Sequence, residues 1–190
     1  MNKTNKLWGA RTYLAGPMDR VDDNGVGWRR EITPFLESIG IVVLDPTNKP
    51  IDVGSEDIES RNYRNTLKQN NKYDELASHM RMLRVVDLRM VDISDFLIVY
   101  INPNIHLCGS FEELFWSNRQ KRPILCMIEG TKSNTPDWLI GTLPNEHLFN
   151  NWEDIKQYIS NINSGDDIRH FKRWMFFDYY KMLPKVPYGG

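Results

Sequence analysis

The sequence has little of what marks several large classes of protein. It holds two cysteines, Cys108 and Cys126, too few for a disulfide framework. Both stand in or near apolar runs and are expected to be reduced and buried. Its four histidines are scattered, with no HExxH and no Cys/His pairing at zinc spacing, so neither a metal nor another cofactor is expected. No apolar run approaches the roughly 20 residues that a spanning helix needs. The N-terminal stretch MNKTNKLWGARTYLAG lacks the apolar core of a signal peptide. The chain is therefore expected to remain in the cytoplasm, with no membrane partner. A formal net charge of −1 offers no electrostatic argument for a nucleic-acid partner. There is no Walker A loop and no GxSxG. Gly25-Val26-Gly27 lacks the third glycine and the preceding strand of a dinucleotide fingerprint, and reads as a loop. Neither repeats nor low-complexity segments are present.

What is present is an alternation of strand-like and helix-like segments. The 190 residues suit a single domain with a sizeable core. Arg11 to Gly16 is a short apolar run ended by Gly-Pro, so a strand and then a turn. Trp28, Ile32, Phe35, Leu36 and Ile39 recur at helical spacing, and Gly40 is a stop. Pro34 falls inside that pattern and must either kink the helix or mark its first turn. Ile41–Leu44 reads as a second strand, closed by Asp45-Pro46. Residues 47–72 form a polar insertion with little periodicity, a candidate lid. Tyr73 to Val91 is helical again, with a possible break near Asp87. Phe96–Ile101 is a continuous apolar run, as for a central parallel strand. Gly109–Gln120 reads as a helix, Pro123–Ile128 as a fourth strand and His147–Phe149 as a short fifth. Trp152, Ile155, Ile159 and Ile162 mark an amphipathic helix capped by Asn151. Strands alternating with helices imply a parallel sheet of about five strands covered on both faces, with its core over residues 11–163. A C-terminal helical extension over 166–184 carries Phe171, Trp174, Met175, Phe176, Phe177, Tyr179 and Tyr180. One helix face cannot bury all of these, so the extension is either a subunit interface or lies deep against the domain.

Ligands of open α/β sheets bind at the carboxyl ends of the strands. Three such ends carry polar or glycine-rich punctuation: Tyr13 to Met18, Asp45-Pro46, and the loop from Asn102 to Ser110 that leads into Phe111-Glu112-Glu113. Gly109-Ser110-x-x-Glu113 has two readings. One is a capping box, with Ser110 as cap and Glu113 bonding back. The other sets Glu113 in the first turn of a helix, held ionised and aimed into the crevice. There it could attack an anomeric carbon or stabilise the cation that forms on it. Asp87 and Asp92 are either a solvated helix face, paired with Arg81, Arg84 and Arg89, or site residues. Asp95 is expected to cap or end an element.

These blocks, in this order and spacing, resemble the nucleoside 2-deoxyribosyltransferase family. Tyr13-Leu-Ala-Gly-Pro-Met18, then a helix and a strand ending in Asp-Pro, is similar to the family's opening. Asp87-Leu-x-x-Val-Asp-x-Ser-Asp95-Phe-Leu-Ile-Val is similar to its D-L-x-x-I-x-x-A-D segment and following strand. Gly109-Ser110-x-x-Glu113, with Lys121-Arg122-Pro123-Ile124 after the helix, is similar to its G-T-x-x-E and K-P-[VI] stretch. Together they span roughly residues 11 to 128. The resemblance implies a flavodoxin-like or Rossmann-like fold that assembles as dimers or higher homo-oligomers and acts on a nucleoside or nucleotide. It implies that Glu113 is the nucleophile on C1′ of a deoxyribosyl group. Tyr13 would orient its carboxylate, and Asp87 would assist departure of the base. Gly16, Pro17, Met18, Asp45, Gly109 and Ser110 fall on the implied substrate-binding segments, and Gly16 would let the backbone approach the ligand. Gly27-Trp28-Arg29 resembles a divergent branch, and Arg29 is a candidate holder of a 5′-phosphate or carboxylate, or else a helix-surface arginine. Leu107 stands where the family often carries an aspartate. Transfer of the sugar, hydrolysis, and an inactive nucleotide-binding module of the same fold all stay open.

Overall fold

The computed structural model of the chain describes residues 5–49, 54, 56–165 and 171–174. The elements run β1 (Arg11–Ala15), α1 (Val26–Ser38), β2 (Val42–Leu44), α2 (Ile58–Gln69), α3 (Tyr73–Ile93), β3 (Phe96–Ile101) and α4 (Cys108–Arg119). They continue with β4 (Ile124–Ile128), α5 (Asp137–Ile140), β5 (Leu148–Phe149), α6 (Trp152–Ser164) and α7 (Phe171–Trp174). The five strands form one sheet in the order β2-β1-β3-β4-β5, and every pairing is parallel. Strand order reverses between β1 and β3, which register Thr12 against Phe96 and Ala15 against Val99. That reversal is the point at which open α/β sheets leave a crevice.

Period-two alternation sorts the strand side chains onto two faces. Leu14, Phe96, Ile98, Leu125 and Met127 pack with Ile32 and Leu36 of α1 and with Ile155, Ile159 and Ile162 of α6. Tyr13, Ala15, Leu97, Val99, Ile124, Cys126 and Ile128 pack with Met90 and Val91 of α3 and Leu114 of α4. Each of these fully buried aliphatic side chains contributes on the order of 1.5–3 kcal/mol of transfer free energy. Tyr13 is thus a core residue by position, and its face of the sheet is the one α3 and α4 cover.

Four expectations are corrected. The stretch 47–72 is not aperiodic throughout. It contains α2, whose cap Asp57 accepts a hydrogen bond from the Ser60 amide, with Glu59 in its first turn and Lys68 in its last. Only Arg64 and Leu67 of α2 are buried, so its apolar face is too narrow to read as periodicity. Helix α3 runs through Asp87 without a break. Gly25 is not mid-loop but the N-cap of α1, at φ 73°, and Pro34 sits inside that helix rather than in its first turn. Cys108 opens α4 and is exposed, whereas Cys126 is buried as expected. At the other end of the chain Asn151 caps α6 by accepting from the Asp154 amide, as its sequence position suggests. Of the aromatic C-terminal extension, Trp174 is buried against Phe96 and Tyr158. Met175 and the later aromatic residues lie outside the described residues.

Candidate functional site

A cavity of about 580 Å³ opens at the carboxyl ends of β1 and β3, the size range of small-molecule sites. Its wall includes Tyr13, Gly16, Asp87, Gly109 and Glu113, drawn from β1, the loop after it, α3 and α4. Pro17, Met18, Arg29, Ser110 and Leu107 also line it, and Asp45 does not, although its neighbour Pro46 does.

Glu113 is the centre of the arrangement. The Tyr13 hydroxyl donates to Glu113 Oε1 at 2.8 Å. Helix α4 starts at Cys108, has no side-chain cap bond and has no acidic residue in its first turn. Ser110 and Glu113 are therefore not a capping box, and Glu113 sits in the second turn rather than the first. Its side chain is half-buried and faces the cavity, and burial pushes its carboxyl up to about 8. The Tyr13 bond opposes that rise, and the charges of Asp87 and Glu56 add to it. The expectation of a carboxylate simply held ionised is corrected: in the ligand-free protein it carries a proton over much of the neutral range. Burial and Glu113 together raise Tyr13 well above the ordinary tyrosine value, so the phenol keeps its proton and acts as donor.

Asp87 is half-buried on α3 and faces Lys49, whose Nζ lies 2.7 Å from Asp87 Oδ1 and 2.8 Å from Glu56 Oε1. Burial and the neighbouring Glu56 push Asp87 up to about 7, while Lys49 pulls it down. Asp87 is therefore not part of a solvated face. Asp92 is, accepting from the Trp116 indole at 2.8 Å, and Arg84 pairs with Glu112 rather than with Asp87 or Asp92. Asp95 accepts from the Arg11 amide and ties the start of β1 to the end of α3.

Arg29 is no surface arginine: its side chain is 1% exposed. Its Nε and Nη2 donate to the Leu14 carbonyl, Nη1 to Gly25, and Nη2 also to Gly16 at 3.4 Å. Asp45 Oδ1 lies 3.4 Å from Nε and also accepts from the amide and hydroxyl of Thr47. The pair thus braces the loop after β1 from beneath. Gly25 permits this, since a Cβ there would stand 2.2 Å from the Pro17 carbonyl oxygen and 2.5 Å from Arg29 Nη1. Gly16 has a packing reason of its own: a Cβ would come 2.8 Å from the Trp28 ring, which stacks on Trp152. At Gly109 no protein atom lies within 4 Å of the Cβ position, so no packing contact demands glycine there.

Two residues of this site have no motif to announce them, Lys49 and Glu56. Both come from the polar insertion, and α2 is tied to the loop after β1 through the Arg64–Asp19 ion pair and the Arg61 bond to the Val21 carbonyl. Among the described residues no cluster of side chains suits a metal ion, and no helix is long and apolar enough to cross a membrane.

Strand order and the flanking helices define a flavodoxin-like α/β protein, with a cavity of small-molecule size at the switch point of its sheet. Among solved structures, it is similar to the 2-deoxyribosyltransferase of the psychrotolerant bacterium Bacillus psychrosaccharolyticus, a biocatalyst for nucleoside synthesis. The TM-score is 0.52 at 20% identity, over 78% of this chain and 92% of the other, which establishes a shared fold. The 2-deoxyribosyltransferase of Leishmania mexicana matches with a TM-score of 0.42 at 17% identity, over 63% and 64% of the two chains. No protein-family model and no curated protein matches the sequence.

Proposed function

We propose that this chain is a divergent nucleoside 2-deoxyribosyltransferase-like enzyme that cleaves or exchanges the N-glycosidic bond of a deoxynucleoside or its 5′-monophosphate. The observation that carries the reading is the half-buried Glu113 carboxyl, bonded to Tyr13 and facing a cavity at the switch point of the sheet. Oε1 is engaged by Tyr13, and among the described residues Oε2 has no hydrogen-bond partner, so Oε2 is the attacking oxygen. With substrate bound, Glu113 passes the proton it holds in the free protein to Asp87, and Oε2 forms a bond to C1′ as the C1′–N bond breaks. The electron pair leaves with the base, whose nitrogen takes a proton from Asp87. In the second half, an acceptor base or water gives its proton to the Asp87 carboxylate and attacks C1′ from the opposite face, and Glu113 is released as carboxylate, with net retention. The oxocarbenium-like transition states gain more from the adjacent carboxylate than the neutral ground state does.

The phosphate role considered for Arg29 is better filled elsewhere, because its donors are already taken by carbonyls. Arg20 and Arg81 line the cavity, are exposed and take part in no ion pair among the described residues. They favour a substrate with an anionic group at the mouth, so a 5′-monophosphate is expected to show the lower KM. The inactive binding module remains the second reading, favoured by the apolar Leu107 in the cavity wall.

The test is base release from a panel of deoxynucleosides and their 5′-monophosphates, with and without a second base. Wild type is expected to release base and Glu113→Ala to release none. Dependence on the acceptor separates transfer from hydrolysis. Wild-type silence across the panel, with ligand binding retained, would install the binding module instead. In the same assay Tyr13→Phe is expected to lose about 10- to 100-fold in kcat, the worth of one hydrogen bond to a charged group. An unchanged kcat would remove Tyr13 from the mechanism.

A further inference from the structure

We propose that Lys49 is a positioning residue of this site: its ammonium fixes the Asp87 carboxyl in the cavity wall and offsets the Glu56 charge beside it. The role assigned to Asp87 rests on the glycosidic-bond reading; the contacts do not.

A lysine ammonium has three N–H donors and no acceptor. Nζ donates to Gly54 O at 2.7 Å and to Glu56 Oε1 at 2.8 Å, and it forms an ion pair with Asp87 Oδ1 at 2.7 Å. The Lys49 side chain is 2% exposed, so these are desolvated contacts and not the marginal pairings of a protein surface. Lys49 lies in the loop after β2, Glu56 just before α2, and Asp87 on α3. The ammonium therefore joins three separate segments at the cavity.

Among the described residues, the insertion supplies Lys49 and Glu56, α3 supplies Asp87, α4 supplies Glu113, α1 supplies Arg29, and β1 supplies the neutral Tyr13 phenol. The cavity wall also carries Arg20 and Arg81, Asp19 paired with Arg64, and Arg84 paired with Glu112. Arg29 is largely spent on backbone carbonyls and Asp45, so Lys49 is the cation in contact with Asp87. Close, poorly solvated carboxyls do not all ionise together. Burial pushes Asp87 up to about 7 and Glu113 up to about 8, and Lys49, in contact with Asp87, favours the ionised form of Asp87. The glycosidic-bond reading needs a proton on Asp87 while Glu113 attacks, so the Lys49 contact sets how readily Asp87 takes one up.

The experiment is a carboxyl ¹³C NMR titration of the full chain, with signals assigned through Asp87→Asn and Glu113→Gln. It is run on wild type, Lys49→Met, Lys49→Gln and Glu56→Gln, with pH profiles of base release alongside. Loss of the cation is expected to raise the Asp87 midpoint by about one pH unit or more, and loss of the Glu56 charge to lower it. The pH profile of activity should move in the same two directions. A purely structural Lys49 would lower the melting temperature and leave the midpoints where they are, and that result overturns the proposal. If neither Lys49 variant folds, Glu56→Gln alone decides, since an unmoved Asp87 midpoint there is equally fatal. The titration needs no substrate. A wild type that releases no base therefore defeats the proposed function, while the midpoints still judge Lys49.

Discussion

Glu113→Gln is expected to abolish base release, by roughly 10³-fold or more, while making the protein more stable above about pH 8. Glutamine keeps an oxygen to accept from the Tyr13 hydroxyl and keeps the volume, so the packing around α4 is unchanged. What it loses is an ionisation. The Glu113 carboxyl has an ordinary value of 4.5 in the unfolded chain and is raised to about 8 in the folded one. Between those two pH values the unfolded state has released the proton and the folded state still holds it. Stability therefore falls as pH rises, because the slope follows the protons bound by the unfolded state minus those bound by the native state. The contribution is fully present below pH 4.5 and is lost as pH rises through 8. A glutamine has no such loss. The two melting curves should coincide near pH 4.5 and separate progressively toward pH 8, then run parallel. A gap on the order of 2–4 kcal/mol, about 5–10 °C in Tm, is the scale expected. Thermal melts across that range measure it. A constant difference between the proteins would mean that Glu113 ionises without penalty in the folded state.

This trade of stability for a poised carboxyl bears on what the sequence could disclose. Strands β3 and β4 were legible because Phe96–Ile101 and Ile124–Ile128 are apolar on both faces, as a sheet covered on both sides demands. Helix α6 was legible because Ile155, Ile159 and Ile162 share one stripe and Asn151 caps it. Helix α2 hides the same information. Its signals lie at its ends, in Asp57 with Ser60 and in Glu59 and Lys68, while its middle buries only two side chains. The site divides in the same way. Tyr13, Asp87 and Glu113 stand in short motifs on separate elements, and the fold brings them to one cavity. Lys49 and Glu56 could not be found so, because a single buried ammonium between two carboxyls is a tertiary contact with no local spacing behind it. The capping-box reading of Ser110 and Glu113 failed for a local reason. The helix begins at Cys108, which places Ser110 inside the first turn and Glu113 beyond it.

Arg29 separates the two kinds of site residue most sharply, and Arg29→Met is expected to cost about 3–5 kcal/mol of stability. The methionine would fill much of the volume but donate nothing to the carbonyls of Leu14, Gly16 and Gly25, which are now bonded to the guanidinium. It would also leave Asp45 without its buried partner. Burial already pulls the Arg29 pKa down, with Asp45 opposing, so the native site holds the charge against a desolvation cost that its bonds must offset. Arg29→Lys should fall between, because an ammonium keeps the charge but not the planar fork that serves several acceptors at once. Urea unfolding of the three proteins gives the order directly. A substrate-anion role for Arg29 makes the opposite prediction: near-normal stability with a large loss of 5′-monophosphate affinity and none for the nucleoside. Since its donors point at the backbone beneath Gly16, the larger loss should be in folding. Any loss of affinity should then extend to nucleoside and nucleotide alike, because both would meet a displaced loop after β1.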